Sequence, residues 1–146
     1  MSNDFEKMTR KSQEAVQSAF AVAEDKKNPT VEPEHLLQAL LSQSEGIVPR
    51  ILEKAGAAPA TIASELQERI ERLPQVSGST SKVSAGPRLL KLLKAAETEA
   101  SRMDDSYIST EHFLLAMFKF KDSDLNSLFK KSRVELNDIE KAVKEC

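Results

Sequence analysis

Two Glu-His pairs are the places where this sequence could do chemistry. Glu34-His35 lies in VEPEHLLQALL, residues 31–41, and Glu111-His112 lies in ISTEHFLLAMF, residues 108–118. Two imidazoles can share a metal across a symmetry axis. The chain supplies little else for such work. It has two histidines and a single cysteine, Cys146, so a zinc site or a nucleophilic triad is hard to assemble. No glycine is followed at the right spacing by Gly-Lys-Ser/Thr, which excludes a phosphate-binding loop. The residues themselves favour a bland account: His35 and His112 are partly buried near a helix N-terminus and fill one structural role twice. Glu34 and Glu111 fall in the first turn of a helix, where a carboxylate stabilises the dipole, or lines a peptide-binding surface. Asp105 reads as a turn residue that could share a face with Glu111, and Thr9 reads as a helix N-cap.

The elements that must hold these residues recur. His35 and His112 are 77 residues apart, and residues 12–69 lie on 89–146 without a gap. Nine identities result, Ala19/Ala96, Leu37/Leu114 and Ile62/Ile139 among them, against roughly four expected from average usage. Apolar class is also kept, as at Val31/Ile108, Leu36/Phe113, Leu40/Met117, Ile51/Leu128 and Leu52/Phe129. The expected architecture is all-α, with eight helices in two four-helix repeats related by a pseudo-two-fold axis. Repeat one covers about 5–73, a linker about 74–86, and repeat two about 87–146, within one domain of residues 1–146.

Along the chain, residues 9–26 form the first helix, with Ala15, Val16, Ala19, Phe20 and Ala23 on its buried face. Pro33 suits the first position of the second helix, because its missing N–H is not needed there. A short third helix runs to about Ala55, and Gly56 suits the left-handed position after it. The fourth spans about 59–72. PQVSGSTSKVSAG, residues 74–86, reads as a passive flexible tether. Pro87 then starts the second copy, Asp104-Asp105-Ser106 makes its turn, and Ser109 caps the helix that carries Glu111 and His112.

Composition narrows the function classes. Hydrophobic residues make up 40% and charged residues 30%, which are globular proportions; Gly is scarce and Trp absent, which favours helices. Net charge is −2 with no basic stripe, so nucleic acid is not an expected partner. No run approaches a membrane span, and the polar MSNDFEKMTRK start lacks a signal-peptide core. One terminal cysteine points to a reducing, cytoplasmic setting. The ending KAVKEC, in mid-pattern, reads as a cut from something longer.

The runs FEKMTRKSQEAV, EPEHLLQALL, IERLPQVSG and DDSYISTEHFLLAM resemble the N-terminal domain of the ClpB disaggregase family of AAA+ chaperones. The doubled motif is common to Clp N-domains; the Leu73-Pro74-Gln75-Val76 exit followed by Gly78 is what resembles ClpB. The resemblance covers essentially the whole chain. It implies a non-enzymatic domain joined to ATPase modules that would bind ATP and Mg, with no cofactor of its own. It implies engagement of unfolded or aggregated polypeptides, delivery to the hexamer, and co-operation with a DnaK-type co-chaperone system. The family's substrate-engaging threonine, aspartate and glutamate match Thr9, Asp105 and Glu111. An apolar groove between the repeats, also implied, would draw on Tyr107, Ile108, Leu93 and Phe113. The family's usual Gly-Asp before the second motif is Asp104-Asp105 here. The alternative implied by the ClpA and ClpC branch is a reader of adaptors or phospho-arginine tags, with Glu34 and Glu111 serving two symmetric pockets.

Overall fold

The Thr9 hydroxyl accepts the backbone N–H of Ser12 at 3.2 Å and so starts the first helix, α1 (Arg10–Asp25). This computed structural model describes residues 5–77 and 82–146; Gly78, and with it the middle of the expected tether, lies outside the described residues. A two-residue strand β1 (Thr30–Val31) leads into α2 (Pro33–Ser42), then α3 (Ile47–Lys54) and α4 (Pro59–Glu71). After β2 (Ser84–Ala85) come α5 (Pro87–Arg102), α6 (Thr110–Lys119), α7 (Ser123–Lys131) and α8 (Leu136–Glu145). These eight helices, among the described residues, match the sequence reading closely, because each start and stop has a local cause. Pro33, Pro59 and Pro87 each occupy the first helical turn.

Four helices end in the same way. The amides of Asn28, Ala57, Asp105 and Val134 reach back to the carbonyls of Ala23, Leu52, Ala100 and Phe129 at 2.9 to 3.2 Å. Such a turn needs a left-handed residue just before the donor. Gly56 provides it with φ 93°, whereas Lys27, Asp104 and Arg133 adopt it with φ 61°, 58° and 60°. Asp104 therefore performs the glycine's conformational task at the cost of a Cβ clash. Arg133 stands at the repeat position of Gly56, and Arg133→Gly is expected to raise the unfolding free energy by up to about 1 kcal/mol in a urea titration.

One buried cluster draws on both repeats. Within each repeat the first helix packs on the second and the second on the fourth; between repeats α3 packs on α6 and α8, α2 on α5 and α6, and α4 on α7. The strands, which carry no period in so short a run, cross between repeats. Val31 pairs with Ala85 in parallel, and Met8 pairs with Ile108 in the same sense. A shift of 77 residues carries one pair onto the other. The segment read as a passive tether is thus fastened at both described ends. Pro74 O accepts from Asn28 Nδ2 at 2.9 Å, the Val76 amide donates to Lys27 O at 2.9 Å, and the Gly86 amide donates to Val31 O at 3.0 Å.

Candidate functional site

Each histidine sits at the third position of its helix, with its ring turned back over the helix start. Nδ1 of His35 accepts the Glu32 amide at 2.9 Å, and Nδ1 of His112 accepts the Ser109 amide at 2.9 Å. A ring nitrogen that accepts a backbone N–H is unprotonated, so the proton is on Nε2. There the repeats diverge: His35 Nε2 donates to Asn28 Oδ1 at 2.9 Å, and His112 Nε2 donates to Asp105 Oδ2 at 2.8 Å. Both rings are wholly buried rather than partly so, and both nitrogens of each are engaged. That overturns a metal shared between them. Among the described residues no group of three or more His, Cys, Asp or Glu side chains could hold an ion. Burial, reinforced by the Lys26 charge, lowers the His35 pKa from its ordinary value to about 4.

The two glutamates diverge further. Glu34 is 4% exposed and takes a bidentate pair from Arg88, Nη1 to Oε1 at 3.0 Å and Nη2 to Oε2 at 2.9 Å. The same guanidinium forks onto Asp122 through Nε at 2.7 Å and Nη2 at 2.6 Å. Asp122 in turn caps α7 by accepting the Leu125 amide at 3.0 Å. Arg88 therefore bolts the start of α5 to α2 of the other repeat and to the start of α7. Its hydrogen bonds hold the Asp122 carboxyl below the usual range, against the opposing effect of burial. Asp122 raises the guanidinium's own pKa, with Glu34 adding to it. The Glu34 carboxylate is thus committed to Arg88 in a way the Glu111 carboxylate is not, so the two tag pockets of the alternative reading are not equivalent. Glu111, at the same register in the second repeat, is half-buried and has no hydrogen bond or ion pair among the described residues.

Around Glu111 the predicted residues partly converge. The Thr9 amide donates to Ile108 O at 3.0 Å, and the Ile108 amide donates to Lys7 O at 2.8 Å. This joins the start of α1 to the segment that enters α6. Tyr107 there is 59% exposed, and Asp105, held through one oxygen by His112, has a side chain 44% exposed. Thr9, Asp105, Tyr107 and Glu111 thus surround the N-terminal end of α6. Two of the expected groove residues do not face outward. Phe113 is completely buried and Ile108 nearly so, because α6 is enclosed on almost every side and both side chains fill the core. Leu93 is half-buried on α5 and packs against the core. Arg88 and Asp122 escaped the sequence reading. The signal available was a repeat of charge: Arg88 stands opposite Lys11, and Asp122 opposite Glu45.

Comparison with known proteins places this geometry in a family. The family model described as the Clp repeat (R) N-terminal domain matches residues 7–132. A chaperone protein ClpB of Bdellovibrio bacteriovorus is 54% identical over 138 residues, which is 94% of this chain and 16% of that protein. The chain therefore spans about a sixth of the length of that relative. Among solved structures, the Hsp104 N-terminal domain from Candida albicans superposes with a TM-score of 0.82 at 17% identity, covering 92% of this chain and 87% of that one. A complex of a ClpV N-domain with a VipB peptide gives 0.71 at 20% identity, covering 90% and 82%. No helix of the described residues is long and apolar enough to cross a membrane. The chain belongs to the Clp repeat N-terminal domain family and is a chaperone N-domain of the ClpB type.

Proposed function

We propose that this domain engages unfolded or aggregated polypeptides at the N-terminal end of α6 and aids their delivery to an AAA+ hexamer. The observation that carries the reading is the inequality of the two glutamates. Glu34 is neutralised from within by Arg88, whereas Glu111 keeps an uncompensated carboxylate beside the exposed ring of Tyr107. An apolar client segment rests on Tyr107, with Leu93 at the flank. Asp105 and Glu111 favour basic residues next to that segment, and Thr9 adds a hydroxyl at the edge. Ile108 and Phe113 act from beneath, by fixing the backbone and the helix. Contacts of this kind are weak, since a disordered client loses entropy on binding. A ClpV N-domain holds a VipB peptide in the solved complex, which supports peptide capture by this fold. ATP and Mg belong to modules outside this chain, and a DnaK-type system would hand clients over. The domain itself carries no step of the reaction.

The test is a titration of the 15N-labelled chain with an alkylated, permanently unfolded reporter protein. Shifts are expected at Thr9, Asp105–Glu111 and Leu93. Glu111→Gln and Tyr107→Ala should each weaken binding about three- to tenfold, roughly 1 kcal/mol, with an unchanged melting temperature. Shifts confined to other surfaces, or equal binding by the variants, would reject the assignment.

A further inference from the structure

A second surface, walled by α5, α6 and α8, has contrary chemistry. The last turns of α5 and α6 and the outer face of α8 enclose a cleft of about 450 Å³. Its floor is apolar, formed by Leu115, Val143 and Met103, the last 41% exposed at the end of α5. Its rim is basic. Arg102, Lys119, Lys141 and Lys144 line it, against Glu99 and Glu140, an excess of two positive charges on a chain of net charge −2.

The duplication supplies an internal control. The cleft between α1, α2 and α4 in the first repeat is its counterpart at the 77-residue shift. There Val22 stands for Glu99, Gln38 for Leu115, Ser42 for Lys119, Ser64 for Lys141 and Gln67 for Lys144. The same framework thus carries a polar cleft without net charge in one repeat, where Lys11 and Glu14 cancel, and an apolar, cationic one in the other. Helix packing does not require the three lysines, since the first repeat packs with Ser42, Ser64 and Gln67 in their places.

Glu99 makes the difference specific. It is a carboxylate only 4% exposed where the other repeat has valine, and such burial is costly unless the charge is paired. It is paired twice, with Lys119 Nζ at 2.7 Å and Arg102 Nη1 at 3.3 Å. Lys119 also lies 3.5 Å from Glu140. The buried acid therefore fixes two cations at the cleft's edge. Lys141 and Lys144, on the facing helix, have no ion pair among the described residues.

From the apolar floor and the net positive rim we infer that this cleft docks an acidic amphipathic helix of a partner protein. Two or three apolar side chains at i, i+3 and i+4 spacing enter over Met103, Leu115 and Val143, and acidic residues flanking them meet Lys141, Lys144 and Arg102. A helix suits the place, because three helices wall the cleft and no open sheet edge borders it. The inference does not depend on the client-binding surface. The two are lined by different residues and select opposite charges, although Met103 of the cleft stands only two residues before Asp105.

The experiment titrates the 15N-labelled chain with three synthetic peptides of one length. One is an acidic amphipathic helix, one is its lysine-for-glutamate reversal, and one is an acidic shuffle without an apolar face. The acidic helix is expected to shift Met103, Leu115 and Lys141–Lys144, with affinity that falls as salt rises. The K141E/K144E double variant should bind it at least tenfold more weakly, and M103S several-fold more weakly, both with unchanged melting temperatures. The same K141E/K144E protein should bind the unfolded reporter normally, which separates this surface from the other. The inference is overturned if the lysine peptide or the shuffle binds as well as the acidic helix. Undiminished affinity of K141E/K144E, shifts centred on Asp105–Glu111, or no binding at millimolar peptide would overturn it equally.

Discussion

Arg88→Met should lower the unfolding free energy by about 3 kcal/mol, the low end of the cost of breaking a buried ion pair. For a chain of this size that is a fall in melting temperature on the order of 10 °C. The reason lies less in the attraction that is lost than in the groups left behind. Glu34 and Asp122 are both largely buried, and each takes two hydrogen bonds from this guanidinium. Without it these two carboxylates, and Glu32 at 3.4 Å, lose their bonded countercharge, while Arg69 and Arg72 line the same cavity without bonding to them. A second variant separates this cause from a general loss of packing. R88M combined with Glu34→Leu and Asp122→Asn removes the two most closely bound of the stranded charges, leaving only Glu32, while asparagine keeps the cap on α7. It should recover most of the loss. A triple variant as unstable as the single one would show that stranded charge is not the cause. Urea denaturation of the three proteins decides it.

The second large effect is a loss of stability in mild acid. His35 binds its proton with a pKa of about 4 in the folded chain, against 6.5 when unfolded. Between those values the unfolded chain holds more protons, so stability is complete above pH 6.5 and falls as pH drops toward 4. The full loss is about 3 kcal/mol. The geometry gives the same sign: a proton on Nδ1 would face the Glu32 amide and abolish the bond that caps α2. His35→Gln keeps an acceptor for that amide but cannot titrate. It should flatten the stability profile between pH 6.5 and 4, whatever its stability at neutral pH. A profile for H35Q as steep as that of the parent chain would place the acid lability elsewhere.

These two effects also mark the boundary of what sequence reading could reach. The helices were legible because their causes are local: prolines at helix starts, left-handed turns at their ends, apolar residues at helical spacing. The duplication was legible because a common shift aligns the core. The histidine pair was recognised as structural, yet its depth was underestimated, since the partners Asn28 and Asp105 lie seven residues away on another element. Phe113 and Ile108 stand among the groove residues only through the family resemblance, which implies an apolar groove between the repeats but not which side chains face it. A helix buried from His112 through Met117 has no exposed face for periodicity to reveal. Arg88 was invisible for a stricter reason. Its meaning depends on where α5 begins relative to α2, and that is a relation between repeats that no window along the chain contains.

The crossed strand pairs bear on how such a chain arose. The residue before the first helix of each repeat pairs with the residue before the second helix of the other: Met8 with Ile108, Ala85 with Val31. Contact of position i on one copy with j on the other, and of j with i, is the signature of an isologous dimer. A single repeat would leave both partners unmet and could satisfy them only by meeting a second copy. Fusion of two copies replaces that encounter with a tether, so that assembly no longer depends on protein concentration. Once the halves were bound for good they were free to differ. One glutamate could then turn to an internal arginine while the other stayed unpaired among the described residues.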